Sequence, residues 1–285
     1  MSGRALRSVD ILMITYNSAD YVSLSLPRLL DSCDEHARVW LWHNGDDEAT
    51  LEAVRPFAAD PRVHRFHHSR DNVRLRTPTN WLWDASDADF VSKVDDDCLV
   101  APDWLERLRR PYADFTGFGA LGSWRFPDED FVPELAERKI QAFPGGHRVL
   151  RNHWVQGSGY LLPRALVTAQ GLLAEGQSFT QYCLALARRG AVSGWSFPFV
   201  REDHMDDPRS PHTLFRSDAD FLRRRPLSAQ ALGVTRLADW EAQMRDSART
   251  AQTASLDLRD YSPWRARRRA LTRRVRRALG ARARW

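Results

Sequence analysis

The chain has 285 residues, 43% of them apolar and 28% charged, a globular composition that excludes a fibrous or disordered protein. Cys33, Cys98 and Cys183 have no close spacing, which excludes a disulfide scaffold and a cysteine-rich zinc site. The formal net charge of +5 divides unevenly, because residues 262–285 hold ten Arg and no acid, and without them 32 basic residues face 37 acidic ones.

Val9–Thr15 (VDILMIT) is a nearly continuous apolar run and predicts a strand covered on both faces. Asn17 or Ser18 is placed to cap a following helix with Tyr21, Val22, Leu26, Leu29, Leu30 and Cys33 on one side. Pro27 is expected to kink or divide that helix. Residues 38–43 predict a second strand, 46–57 a helix, 62–67 a weaker third strand, 78–85 a helix and 89–94 a fourth strand. This alternation predicts an α/β fold with a mostly parallel sheet flanked by helices. Further on, 117–124 read as a strand and loop, and 126–146, rich in Pro and charge, as a flexible lid. Residues 154–163 read as a strand with a Gly-rich bend, 165–189 as one or two helices and 192–200 as an aromatic strand. Residues 227–250 read as a helix weakly broken at Gly233. No apolar run reaches the length of a bilayer span and no signal-peptide pattern opens the chain, so the expectation is a cytoplasmic protein.

The strongest local signal is Asp95-Asp96-Asp97 at the end of the fourth strand. In extended backbone Asp95 and Asp97 point to one side and Asp96 to the other. Acids packed together are costly unless a cation neutralises them, and Mg²⁺ or Mn²⁺ with oxygen ligands does so. In an open parallel sheet, ligands bind beyond the carboxyl ends of the strands, where this triplet falls. The competing reading is a solvated acidic turn with Asp97 or Asp103 capping the next helix. Residues 117–122 (GFGALG) match a dinucleotide-binding spacing, but they follow no first strand and open no clear helix. His64, His67 and His68 lie on a short edge-like segment, which counts against a metal site there. Trp81, Trp83, Trp124 and Trp154 suit either a hydrophobic core or a stacking platform for a sugar ring.

The order of 9–17 (VDILMITYN), Asn44-Gly45, Asn72, Asn80 and the Asp triplet resembles family 2 of the glycosyltransferases, which has the GT-A fold. The likeness covers about 8–110 well and about 150–210 more loosely. It implies a hexosyltransferase-type enzyme that moves a sugar from a nucleotide diphosphate sugar to a glycan or lipid-linked acceptor, with inversion and with Mn²⁺ or Mg²⁺. It assigns the nucleoside to Thr15, Tyr16, Asn17, His43, Asp95 and Asp96, and the metal to Asp97 and His204, the latter six residues after Pro198. Gly157, Ser158 and Trp154 fall in the sugar and acceptor region. The implied organisation is a nucleotide-binding half at 1–110, a sugar and acceptor half at 111–226, and a helical extension with an Arg-rich tail at 227–285.

Two departures stand out. His43 occupies the end of strand two where the family usually has Asp, and 178–183 (SFTQYC) lack the Glu-Asp pair that usually carries the catalytic base. Gln181 takes no proton at neutral pH. Glu202, Asp203, Asp206 and Asp207 surround His204, and Asp203, Asp207 or Glu175 is the expected base. On a helix the tail would set Trp264, Leu271, Val275 and Leu279 near one side among arginines, a pattern for an anionic membrane surface on the inner face of the cell. A disordered solubilising tail is the second reading, and nucleic acid, which attracts the same charge, ranks below both. The rival functions are a nucleotide-sugar-binding protein without turnover and a nucleic-acid-binding protein.

Overall fold

The computed structural model describes residues 7–262. The first part of the chain forms β1 (Val9–Thr15), α1 (Ala19–Asp31), β2 (Ala37–Asn44), α2 (Glu48–Val54), β3 (Val63–Ser69), α3 (Arg76–Ala85) and β4 (Phe90–Asp95). Next come β5 (Cys98–Val100), α4 (Trp104–Asp114), β6 (Phe118–Gly122), α5 (Pro133–Ala136), β7 (Ile140–Ala142), β8 (Arg148–Asn152) and β9 (Tyr160–Pro163). The rest comprises α6 (Arg164–Gln170), α7 (Phe179–Arg188), β10 (Val192–Phe197), β11 (Glu202–His204), α8 (Asp218–Arg224), α9 (Leu227–Leu232) and α10 (Leu237–Thr253).

Nine strands make one sheet in the order β3-β2-β1-β4-β9-β6-β10-β8-β7. β3, β2, β1 and β4 are parallel neighbours. β9 runs antiparallel between β4 and β6, and β10 runs parallel to β6. β1 is buried along its whole length because it has a strand on each side and packing on both faces. Val9, Ile11 and Met13 join Val22, Leu26 and Leu29 of α1, while Leu12 and Ile14 join Trp40, Trp42, Leu82 and Trp83 on the other face. This two-sided burial explains the unbroken apolar run.

Three local expectations change. α1 runs through Pro27 undivided. The bond that proline cannot donate would go to the Ser23 carbonyl on an exposed turn, where water serves, while the buried face of the helix holds it to the sheet. Residues 126–146 are packed in place: Phe126 and Ala136 are buried, and the Lys139 ammonium donates to the Ala251 carbonyl at 3.0 Å. The Gln252 amide donates to the Asp130 carbonyl and accepts from the Val132 N–H, both at 2.7 Å, so α10 fastens this segment. Finally, 227–250 hold two helices, with Gly233 at φ +69° ending α9 in the left-handed conformation that favours glycine. The reading of the basic tail lies on 263–285, outside the described residues.

Candidate active site

The pairing of Ile14 with Asp95 and of Thr15 with His43 brings the carboxyl ends of β1, β2 and β4 flush. The turns that leave them share one rim. Asn17 has φ +49° and Gly45 φ +118°. A Cβ on Gly45 would sit 3.2 Å from the Tyr16 ring, so this turn needs glycine on both counts. The Asn44 side chain donates to Asn72 at 2.8 Å and accepts from the Val73 N–H at 2.9 Å, fixing the loop beyond β3.

The chain turns at the end of β4, so all three carboxylates of the triplet line one cleft instead of alternating. Asp95 is paired with Lys93, and its N–H donates to Ser158 Oγ at 3.0 Å. Asp96 accepts from the Tyr16 N–H at 3.0 Å and from the Ser18 hydroxyl. Ser18 therefore gives its side chain to Asp96 instead of capping α1. Asp97 Oδ2 lies 3.4 Å from His204 Nε2. That meeting follows from register: β11 pairs antiparallel with β5, and His204 stands opposite Cys98, next to Asp97.

The electrostatics of this cluster suit a cation. Burial and the Asp97 charge push the Asp96 carboxyl up, and the same two causes push Asp206 well above the carboxylate range. Burial alone would raise Asp97, but the facing His204 outweighs it and holds that carboxyl low. The buried Cys98 thiol is pushed up by burial and by Asp97, and donates to Asp97 Oδ1 at 3.3 Å. Asp97, Cys98 and His204 bring ligand atoms within 4.8 Å of one another. The Asp97 carboxylate and the His204 imidazole are donors that suit a divalent cation, with the buried Cys98 thiol beside them.

The cleft measures about 1120 Å³. Tyr16, Asn17, Ser18 and the triplet form one wall, and side chains of 223–247 form the opposite one. Sequence reasoning treated the second wall as an appendage. It also missed Arg125, whose guanidinium reaches the cleft with a buried Nε that finds no partner among the described residues. Asp206, named only as a neighbour of His204, lines the cleft too.

Other expected site residues lie elsewhere. Thr15 and His43 are fully buried and bonded to each other, Oγ1 to Nδ1 at 3.0 Å, and neither lines the cleft. Ser158 is buried as a link, accepting from Asp95 and donating to Glu202. Gly157 faces open space, and half-buried Trp154 packs edge-on against Trp195 at 5.7 Å. None of these three lines the cleft.

The three expected bases also lie outside the cleft lining. Asp207 is buried in a fork with Arg209 at 2.7 Å. Asp203 alternates away from Glu202 and His204 on β11 and bonds His212 at 2.7 Å. Glu175 is exposed before α7 and does not line the cleft. In α7, Gln181 and Ser178 form a reciprocal cap. Trp83 and Trp124 are core, and Trp81 packs beside Trp40 and Trp42.

An open sheet of this order with acids at the end of β4 is the architecture of GT-A glycosyltransferases. Two solved structures share it. The mannosyltransferase PcManGT from Pyrobaculum calidifontis, solved with GDP-Man and Mn²⁺, matches at TM-score 0.58 and 16% identity over 90% of this chain and 79% of its own. S. aureus TarS 1-349, solved with UDP-GlcNAc, matches at TM-score 0.54 and 13% identity over 89% of this chain and 77% of its own. The family described as Glycosyl transferase family 2 matches residues 10–153. The chain belongs to that family. No helix among the described residues is long and apolar enough to cross a membrane.

Proposed function

We propose that this chain moves a sugar from a nucleotide diphosphate sugar to an acceptor hydroxyl with inversion at the anomeric carbon, in bacterial cell-surface glycan synthesis. Residues 1–110 hold the nucleotide, 111–226 the sugar and acceptor, and the helices after 226 close the cleft. One observation carries the reading: Asp97 and His204, distant in sequence, meet in a cleft that also contains Tyr16, Asn17 and Asp96. Asp97 and His204 would hold a divalent cation, which would offset charge on the leaving diphosphate. Tyr16, Asn17 and Asp96 orient the nucleoside, and Lys93 and Ser158 fix Asp95 beside them. Asp206, which lines the cleft near His204, would take the proton of the attacking hydroxyl once a cation at Asp97 offset the charge that raises this carboxyl.

A thermal-shift screen of nucleoside diphosphates and their sugars, with and without Mn²⁺, tests this. A ligand at 100 times its dissociation constant should stabilise by about 2.7 kcal/mol. The shift should need the metal and vanish in Asp97→Ala. A shift that ignores metal and survives Asp97→Ala would sink the reading. A second reading, donor binding without turnover, is favoured by the cap at Ser178 and Gln181, which leaves no carboxylate at the start of α7. It predicts the same shift with no nucleoside diphosphate released from any donor.

A further inference from the structure

The two lips of the cleft are both rich in arginine and carry exposed leucines. One is the loop 70–76, with three Arg and one Asp. The other is the segment 216–236, with five Arg and two Asp. Both stand out against a body whose acids outnumber its bases. The same segments carry four of the six exposed large hydrophobic side chains of the described residues: Leu75 at 57%, Leu222 at 51%, Leu227 at 56% and Leu232 at 45% exposed. Leu75, Leu227 and Leu232 line the cleft mouth itself.

We infer that these lips dock the protein on an anionic lipid bilayer, so that the cleft opens onto the membrane surface. Exposed leucines set among arginines give the two signals that stable interfacial binding requires, apolar insertion and attraction to acidic headgroups. The arginines are free to serve. Arg74 makes no ion pair among the described residues, and Arg225 donates only to the Val234 carbonyl at 3.4 Å. Arg223 with Asp220 and Arg224 with Asp20 are exposed pairs, weak enough to exchange for lipid phosphate. Nucleic acid would use the arginines but gives no role to the leucines. The surface is separate from the basic tail. Its consequence for an acceptor held in the bilayer rests on the sugar-transfer reading, whereas the docking does not.

Co-sedimentation of the full chain with vesicles tests this, using phosphatidylcholine alone and phosphatidylcholine with phosphatidylglycerol. Binding should need the anionic lipid and weaken with salt. The variant Leu75→Ser/Leu227→Ser/Leu232→Ser, with its melting temperature checked, should lose about tenfold or more of the vesicle partition. A full-length variant with Arg265→Gln, Arg267→Gln, Arg268→Gln and Arg269→Gln should retain the dependence on the three leucines. Unchanged partition of the leucine variant overturns the proposal. So does binding of an oligonucleotide, but not of vesicles, by parent and leucine variant alike. Donor shifts in lipid-free buffer report the sugar-transfer reading alone, so the two failures are distinguishable.

Discussion

The two walls of the cleft are built by different rules. On the β1–β4 side, the wall is made by the ends of the strands and the turns that leave them, and parallel register aligns those ends. On the far side, α8, α9 and α10 gather around a small cluster of their own, Phe215, Phe221, Ala229, Trp240 and Met244. The Trp240 indole N–H ties this cluster to the Asp206 carbonyl at 2.8 Å, and only the far end of α10, at Ala248 and Ala251, enters the main core. A wall set by sheet register inherits the stability of the main core, while a wall set by a satellite cluster depends on a few large side chains.

The sharpest way to break this contrast is Trp240→Ala. Removing that buried indole should lower stability by about 3–5 kcal/mol in urea unfolding. A single lost transition is expected, since Gln252 and Lys139 bind α10 to 130–139. A separate early transition of α8–α10 would show that the wall stands alone. A smaller effect sharpens the sheet side. Burial raises the Glu202 carboxyl from its ordinary 4.5 to about 6, against the opposing bond from Ser158. A raised carboxyl favours the fold at low pH, and that stabilisation is lost as pH rises from about 4.5 through about 6. Glu202→Gln, in chelator, should therefore gain on wild type by about 2 kcal/mol between pH 4.5 and pH 7.5. A gap that does not change with pH would refute the burial argument. The smallest effect is at the rim, where Ser18→Ala removes one hydrogen bond to Asp96 and should cost about 1 kcal/mol. A neutral result by denaturant titration would mean that water replaces the hydroxyl.

The sequence was most readable where periodicity is local. β1 falls at Val9–Thr15, as its apolar run requires, and β2 and β4 differ from expectation only at their ends. β8 went unread because Arg148, Arg151 and Asn152 break its apolar run, although it pairs with β10 and β7. The three-residue β11 reads as a charged loop, since Glu-Asp-His has no apolar periodicity, yet its ladder brings the His204 imidazole to Asp97. Likewise, nothing local in Arg125 or Asp206 marks them. Their shared cleft is assembled by segments up to about two hundred positions apart, and only packing between distant segments reveals it.

The short β5–β11 ladder ties His204 to the residue beside Asp97 by three consecutive pairings. The two side chains thus behave as one pre-set jaw instead of two tethered arms, and little ordering remains for an incoming ion to impose. The same stiffness makes the device brittle. Inserting one residue into the turn before β11 would present Asp203 where His204 now stands, trading an imidazole for another negative charge.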